Sequence, residues 1–314
     1  MTAHQSRIYA PLMMLIAVAT FAFMDAGLKE LAGTYPAMQV AALRGASSLP
    51  FILVWVVATS GLRPLLRVRW PLHVLRGAIG IAMMASFAYA LRTLPLTTAY
   101  SIFFVAPLLI TALSVPILGE QVGPRRWTAI AIGLVGMLVL LRPSGEGMLS
   151  WAALAVLLAA VGYAVSAITV RVLARTDSNA SMIVWLLVML AVGAGALAWP
   201  DWVPLRREDA WVIVGTGLAG AIGQYAITAA FRSGSASLLA PLEYTALVWG
   251  VLLDVTIWGV LPDGVTWLGA GIIIASGLYM LRRERVRADE AVAHGESPEG
   301  GNNDGPEGPP RIMH

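Results

Sequence analysis

Two apolar halves of this chain repeat each other at an offset of 140 residues, and no other feature constrains the fold as strongly. The pattern Gly77-x-x-Gly80 in the first half recurs as Gly217-x-x-Gly220 in the second, and such glycines allow helices to pack closely. Each half contains five apolar segments. If each segment crosses a membrane, the second half must run upside down relative to the first. The sequence therefore predicts two inverted five-helix repeats.

The composition indicates that these segments lie in a membrane. Of the 314 residues, 58% are hydrophobic and 12% are charged, which leaves too little polar surface for a soluble globule of this size. A helix needs about 20 mainly apolar residues to cross the hydrocarbon core. Ten segments meet this requirement: 8–28, 37–59, 71–91, 96–118, 125–142, 149–170, 180–199, 210–230, 237–258 and 265–281. We therefore predict an all-α integral membrane protein with ten transmembrane helices around a central cavity.

The arginines and lysines indicate the orientation. If the N-terminus is cytoplasmic, 14 of them fall in cytoplasmic segments and 5 in external segments. This bias predicts that both termini are cytoplasmic, in agreement with an even number of spans. The same cations are dispersed among loops and are not gathered on one face, so the expected partner is membrane lipid and not nucleic acid.

Few residues offer metal ligands or nucleophiles. The chain has no cysteine and four histidines, of which only His73 lies near a predicted span. Neither a thiolate site nor a histidine cluster can form, so we expect no metal and no cofactor. A membrane-embedded enzyme needs a nucleophile, a base or a metal cluster within its spans. We therefore predict that the protein is not an enzyme, and a membrane enzyme remains only a distant alternative.

The repeat and the polar segments at its two ends divide the chain into four parts. Residues 1–7 form a short cytoplasmic N-terminus, 8–142 the first five-helix repeat and 149–283 the second. The segment 284–314 is rich in Gly, Pro, Glu and Asn, and it cannot bury enough apolar surface to order itself. We expect it to be a disordered cytoplasmic tail.

Three charged residues lie toward the external ends of the first two predicted helices. Asp25 and Lys29 are four residues apart, so they share one face of a helix and can pair. Arg44 enters the second helix from the same side. A charge at the centre of a span costs about 2.5–3.5 kcal/mol on insertion scales unless it meets a partner or a wet cavity. These residues are expected either to fix the two helices by ion pairing or to act in gating or substrate contact.

Polar and aromatic residues of other helices are candidates for a substrate cavity. Gln224 and Tyr225 are polar groups in an otherwise apolar helix, and Glu243 lies about two turns inside the ninth helix. Each also has an alternative role in helix packing or lipid contact. The remaining candidates are aromatic and methionine side chains: Phe21, Met83, Phe87, Tyr100, Phe104, Tyr163, Trp185, Tyr244 and Trp249.

Prolines occur inside corresponding helices of the two halves. Pro107 in the fourth helix and Pro241 in the ninth remove backbone donors and permit bending. They are candidate hinges, although they do not align at the 140-residue offset. A static kink is the alternative.

The combination of these features resembles the drug/metabolite transporter superfamily and, within it, EamA-type exporters with ten spans in two five-helix repeats. The resemblance covers residues 8–283. It is carried by Pro107 followed by Leu118-Gly119-Glu120, by Ala240-Pro241-Leu242-Glu243-Tyr244-Thr245-Ala246-Leu247, and by Ala275-Ser276-Gly277-Leu278-Tyr279. One departure is that Gly119-Glu120 becomes Gly259-Val260 in the second half. If Glu120 acts in a gate, only one half of the protein has that element.

This resemblance implies alternating access through a cavity formed mainly by helices 1, 3, 4, 6, 8 and 9, with the hairpins 3/4 and 8/9 moving during transport. The aromatic candidates are similar in character to those of YddG-like amino-acid exporters. We therefore expect a secondary transporter of the bacterial inner membrane whose substrate is a small molecule, above all an amino acid, and whose direction is outward. Efflux of drugs or cationic compounds, with Glu243 or Asp25 as charge partner, is the alternative.

Overall fold

The computed structural model describes residues 3–66, 68–118, 124–141, 150–173, 176–233 and 242–293, and these contain helices but no strand. The helices of the first half are α1 (Ala3–Ala32), α2 (Ala37–Thr59), α3 (Trp70–Leu91), α4 (Leu96–Phe103), α5 (Ala106–Leu118) and α6 (Pro124–Leu141). Those of the second half are α7 (Trp151–Leu173), α8 (Asn179–Met189), α9 (Gly195–Ala198), α10 (Ala210–Ser233), α11 (Ala246–Trp258) and α12 (Gly264–Ala293). The predicted all-α architecture is confirmed.

Seven of the described helical segments are long and apolar enough to cross a membrane. One of them, Leu96–Ile117, combines α4 with α5. Another, Asn179–Asp201, combines α8, a π-helical turn at Leu190–Ala194 and α9. Two shorter apolar helices are Ala246–Trp258 and Gly264–Ser276. These segments fall on predicted spans, and the protein is a multi-pass membrane protein.

The two ends of the described chain are more helical than the sequence suggested. α1 begins at Ala3, within the segment that was assigned to a short N-terminus. α12 continues to Ala293, ten residues beyond the predicted end of the second repeat at 283. The rest of the predicted tail, 294–314, lies outside the described residues.

The helices of one half pack mainly against helices of the other. α1 makes its most extensive contacts with α10, and α3 makes its most extensive contacts with α7. α6 packs mainly against α12. Leucines on these and neighbouring helices, such as Leu28, Leu91 and Leu190, are almost fully buried. The core therefore lies at the interface between the halves.

Two glycines that are 140 residues apart allow this close packing. A Cβ atom on Gly77 of α3 would collide with the side chain of Met189 on α8. A Cβ atom on Gly217 of α10 would collide with the backbone of Ser47 on α2. The pattern that the sequence offered as a packing motif therefore lies at helix contacts in both halves.

Both halves also contain a helix that is interrupted within the span. In the first half the break falls at residues 104–105, between α4 and α5. In the second half residues 242–243 are helical, the break falls at residues 244–245, and α11 follows. The breaks are thus 140 residues apart although the prolines are not. Pro107 lies in the first turn of α5, where a missing N–H is tolerated, and Pro241 lies outside the described residues.

The backbone hydrogen bonds at the two breaks follow the same pattern. Leu108 N donates to Val105 O at 3.0 Å, and Val248 N donates to Thr245 O at 3.0 Å. The side chains at the first position of each break also meet. The rings of Phe104 and Tyr244 pack edge to face, with centroids 5.2 Å apart and an interplanar angle of 81°.

Candidate functional site

A cavity of about 340 Å³ lies between the two halves of the protein. Its wall comes from α1, α2, α3, α4, α7, α8 and α10, from the break between α4 and α5, and from the chain around the second break. Most of the wall is apolar. Its charged and amide side chains are Asp25, Arg44, Arg76, Gln224 and Glu243.

Ten residues selected from the sequence line this cavity. They come from both halves, as expected for a site at the interface between repeats. They are Phe21, Asp25, Arg44, Met83, Phe87, Tyr100, Phe104, Tyr163, Gln224 and Glu243. Two of these aromatic rings, Phe87 and Tyr163, form a continuous strip with Phe103, which also lines the cavity. The ring centroid of Phe103 lies 5.9 Å from that of Phe87 and 5.3 Å from that of Tyr163.

Two other candidates lie just behind the cavity wall or on the outer surface. Tyr225 follows Gln224 in the chain, but successive residues of a helix point in directions about 100° apart. Its side chain is 41% exposed and packs edge-on against Trp55. Tyr244 is buried against Phe104 and does not line the cavity.

Both tryptophans that were cavity candidates also lie elsewhere. Trp185 donates its Nε1 hydrogen to the carbonyl oxygen of Leu65 at 3.0 Å and packs against Trp70, so it joins α8 to the loop after α2. Trp249 packs against Phe23 with ring centroids 5.8 Å apart. These contacts give both tryptophans a packing role.

The carboxylate of Asp25 faces partners inside the protein. The hydroxyl of Tyr100 donates to Asp25 Oδ2 at 2.9 Å. Arg44 lies close enough for its charge to interact with that of Asp25. Both side chains line the cavity.

Lys29 does not pair with Asp25, contrary to the sequence prediction. Its Nζ atom lies 3.2 Å from Oδ1 of Asp254 on α11 and 4.2 Å from the ring centroid of Trp258. Asp25 is turned toward Tyr100 and Arg44 instead. The spacing of four residues correctly indicates a shared face, but a stronger partner for each residue lies on another helix.

Asp254 joins three helices at this end of the bundle. Besides Lys29 on α1, its carboxylate accepts hydrogen bonds from the backbone N–H groups of Leu96 at 2.9 Å and Thr97 at 2.7 Å. These N–H groups begin α4, and the positive end of a helix dipole stabilises a carboxylate there. A position near a span end suggests hydration, yet Asp254 is fully buried. The network therefore connects α1, α4 and α11 beside the cavity.

Loops at the same end are joined by a second set of bonds. The hydroxyl of Tyr35, between α1 and α2, donates to Asp209 Oδ2 at 2.6 Å and accepts from Arg206 N at 3.0 Å. Gln39 exchanges two hydrogen bonds with the backbone of Val203, at 2.7 and 2.9 Å. We call the end that contains Lys29, Asp254 and Tyr35 the Lys29 end.

The opposite end of α2 and α3 has its own buried pair, and we call it the Asp177 end. His73 Nε2 lies 2.8 Å from Asp177 Oδ2, and Arg69 N donates to the same oxygen at 3.0 Å. The hydroxyl of Thr176 donates to Oδ1 at 2.7 Å. Burial opposes the charge of Asp177, but these hydrogen bonds outweigh it and hold the pKa of the carboxyl below its usual value.

Arg76 is the main cavity residue that sequence reasoning missed. The 14 cations assigned to cytoplasmic segments include Arg76, but it is the seventh residue of α3, about 9 Å inside that helix. Its side chain is 8% exposed and lines the cavity. The available signal was its position within the predicted span 71–91. Ser166 and Met14 also line the cavity, and neither type of residue stands out in an apolar helix.

Two of the remaining candidates, Glu120 and Pro241, lie outside the described residues. Within the described ranges no group of three or more His, Asp and Glu side chains could hold a metal ion.

The chain matches the model of the EamA-like transporter family twice, over residues 8–142 and 150–282. A riboflavin transporter of Rhizobium johnstonii is 30% identical over 68% of this chain and 71% of its own length. A pseudopaline exporter of Pseudomonas aeruginosa is 24% identical over 87% of this chain and 96% of its own. An S-adenosylmethionine uptake transporter of Rickettsia prowazekii is 28% identical over 86% and 92%.

A solved crystal structure has a similar fold. It covers 88% of this chain and 98% of its own chain with a TM-score of 0.63. At 23% sequence identity, this likeness concerns the fold alone.

Proposed function

Because the chain belongs to the EamA-like transporter family, we propose that it is a secondary transporter that exports amino acids through the cavity by alternating access. Its relatives are named as transporters of small metabolites, and their names include both an exporter and an uptake transporter. One of these substrates, S-adenosylmethionine, contains the amino-acid end of methionine. The proposal therefore chooses one substrate class and one direction within the family.

The observation that carries the substrate proposal is the composition of the cavity wall. An amino acid at neutral pH carries a carboxylate, an ammonium group and a side chain. The wall offers the cations Arg44 and Arg76 to the substrate carboxylate, and it offers the carboxylates of Asp25 and Glu243 to the ammonium group. The aromatic strip through Phe103 offers an apolar surface to the substrate side chain. A cavity of about 340 Å³ has room for one such molecule.

Three features support alternating access between inverted halves. The helix breaks recur at the 140-residue offset, and glycines at the same offset lie at helix contacts. The cavity is bordered by a buried ion pair at the Lys29 end. In an inverted repeat the Lys29 and Asp177 ends exchange roles as the substrate crosses.

The proposed membrane is the bacterial inner membrane, with the Lys29 end outside and both termini in the cytoplasm. The distribution of 14 against 5 cations supports this orientation. Outward transport then requires that substrate enters from the Asp177 end and leaves when the Lys29 end opens.

The direct test is transport by the purified protein in liposomes. Labelled phenylalanine, methionine, leucine and glutamate are compared with labelled riboflavin and S-adenosylmethionine. We expect amino-acid movement that exceeds the rate in protein-free liposomes and saturates with concentration. If riboflavin or S-adenosylmethionine moves and no amino acid does, the substrate proposal is wrong while transport stands.

Neighbouring residues of α10 provide a matched test of the cavity. Gln224 lines the cavity, whereas Tyr225 lies on the outer surface. Gln224→Ala should lower the transport rate about tenfold, since a hydrogen-bonding group of the site is lost. Tyr225→Ala should leave the rate within about twofold, because exposed positions away from a site contribute little. Equal rates for both variants would contradict the assignment of the cavity.

Efflux of cationic compounds is a second candidate, and Glu243 is the observation that favours it. This carboxylate lines the cavity, and no ion pair joins it to a cation among the described residues. Cells that produce the protein would then grow at higher concentrations of a lipophilic cation, and Glu243→Gln would abolish the protection. Protection that persists in Glu243→Gln would exclude this candidate.

A further inference from the structure

Arg76 is a buried cation without a compensating carboxylate. Its side chain is 8% exposed, and no carboxylate of the described residues lies within 4.0 Å of it. One guanidinium nitrogen, Nη1, donates to the carbonyl oxygen of Met182 at 2.6 Å. The Nε–H group is buried and has no hydrogen-bond partner among the described residues. A buried charge and a buried unpaired donor both destabilise a protein unless a ligand or partner satisfies them.

Arg44, the other arginine of the cavity, is equally buried, and its Nε–H group also has no hydrogen-bond partner among the described residues. It differs from Arg76 in its charged neighbour. The charge of Asp25, whose carboxylate is fixed by the hydroxyl of Tyr100, acts on Arg44. Arg44 therefore has a counter-charge within the protein, whereas burial is the dominant influence on Arg76.

The surroundings of Arg76 fix its orientation. The bond to Met182 O ties one arm of the guanidinium to α8, and arginine has a planar fork of donors that fits a carboxylate. The aromatic strip of Phe87, Phe103 and Tyr163 lies in the wall of the same cavity. An anion with an apolar body would satisfy both features at once.

We propose that Arg76 binds the carboxylate of the substrate and makes the cavity selective for carboxylate-bearing molecules over neutral or purely cationic ones. This inference rests on the proposed function, because it assumes that the cavity holds the transported molecule. It goes further by naming the residue and the chemical group that determine selectivity. Arg76 lies on the Asp177 side of α3, so the carboxylate end of the substrate is held toward the end where substrate enters.

The test compares acids with amides of the same shape. Dissociation constants are measured for purified protein in detergent with 3-phenylpropionate, 3-phenylpropanamide, phenylalanine and phenylalaninamide. In the wild-type protein each acid should bind at least about tenfold more tightly than its amide, since charge-assisted hydrogen bonds distinguish them. In Arg76→Gln the acids should weaken about 10- to 100-fold and the amides should change little.

Arg69→Gln is the matched control, because Arg69 is an exposed arginine next to the start of α3 whose bond to Asp177 uses only its backbone N–H. It should keep the preference for acids. An Arg76→Gln variant with an unchanged ratio of acid to amide affinity overturns the proposal, and so does a wild-type protein without a preference for acids. If Arg76→Gln fails to fold, Arg76→Lys replaces it. A selective loss of acid affinity supports the proposal, and a parallel loss of acid and amide affinities overturns it.

The outcome separates this inference from the proposed function. Selective acid binding without transport of phenylalanine in liposomes would retain the role of Arg76 and reject amino-acid export. Transport of phenylalanine that is unaffected in Arg76→Gln would retain export and reject the role of Arg76.

Discussion

The Lys29 end and the Asp177 end of the helix bundle are held together by different chemistry. At the Lys29 end, Asp254 connects Lys29 on α1 with the first N–H groups of α4, so helices that line the cavity are joined to one another. At the Asp177 end, the buried pair of His73 and Asp177 joins the start of α3 to the loop before α8. The two networks thus fix different parts of the cavity wall.

The sequence shows that this difference is built into the repeat. The residues 140 positions away from Lys29 and Asp254 are Thr169 and Ser114, which carry no charge. If the two ends of an inverted repeat made the same contacts, the state closed at one end and the state closed at the other would be equally stable. We expect the pair of Lys29 and Asp254, which has no charged counterpart at the 140-residue offset, to favour the state in which the Lys29 end is closed.

The largest effect in this comparison is expected at the close helix contacts. Gly217→Ala near the Lys29 end should lower stability by about 1–3 kcal/mol, because the new methyl group meets the backbone of Ser47, which cannot move aside. Gly77→Ala should cost less, because its shortest contact is with Sδ of the flexible Met189 side chain, which can move away and leave only a tight contact with Met189 Cβ. Thermal unfolding in one detergent measures both. A larger loss for Gly77→Ala would contradict the explanation.

The next effect concerns closure of the Lys29 end. Because the chain has no cysteine, Met24→Cys places a single thiol in the cavity wall. Adding Asp254→Asn should speed its reaction with an impermeant maleimide in intact cells about tenfold or more, since charge-assisted bonds worth about 1.5–3 kcal/mol are lost.

The control for this experiment is an exposed ion pair at the same end. Arg206 and Glu208 lie 3.8 Å apart, and both side chains are more than half exposed. Glu208→Gln should change the labelling rate less than about twofold, because exposed pairs contribute about 0–1 kcal/mol. If Asp254→Asn also leaves the rate unchanged, the ion pair does not hold this end closed.

A smaller effect should depend on pH at the Asp177 end. The folded-state pKa of Asp177 is lower than its unfolded value, so its contribution to stability is complete above the usual pKa of 3.8 and is lost as the pH falls through the folded-state value. Asp177→Asn should therefore unfold at a lower temperature than wild type at pH 7. The difference should shrink when both are scanned below pH 3.8. A constant difference from pH 7 to pH 3 would refute this role.

The smallest effect should follow loss of the Tyr35 hydroxyl at the Lys29 end. Tyr35→Phe removes a bond from Arg206 N, with a net value of about 0.5–1.5 kcal/mol, and a bond to Asp209. Asp209 is partly exposed, so solvent screening keeps the second bond near about 1.5 kcal/mol, the lower limit for a charged acceptor. Burial raises the pKa of Tyr35 above its usual value, so the hydroxyl stays protonated at neutral pH. The loss in unfolding temperature should be the same at pH 6 and pH 8. A loss that changes between these pH values would indicate that another group carries the effect.

The sequence made the all-α fold, the packing glycines and ten residues of the cavity wall predictable. Each of these depends on residues whose spacing along one helix already fixes their place. The partner of Lys29 was not predictable in this way, because Asp254 is 225 residues away and only tertiary packing brings the two together. The spacing of four residues predicted Asp25 as the partner of Lys29, and this prediction was wrong.

The direction of single side chains was equally hard to predict. Gln224 and Tyr225 lie in a helix that is apolar on all sides, so its hydrophobic pattern does not reveal which face meets the cavity. Arg76 was misplaced for a related reason. Counting cations by segment treats an arginine near a span end as a loop residue, although a long side chain there can turn inward as well as outward.

The contact between Phe104 and Tyr244 places the interruptions of two helices against each other. The first interruption separates α4 from α5, and the second directly precedes α11. Asp254 of α11 also accepts hydrogen bonds from the first N–H groups of α4, so these two helices are joined at one end by the carboxylate and at the other by the two rings. We therefore expect α4 and α11 to tilt together as one unit about the contact between Phe104 and Tyr244.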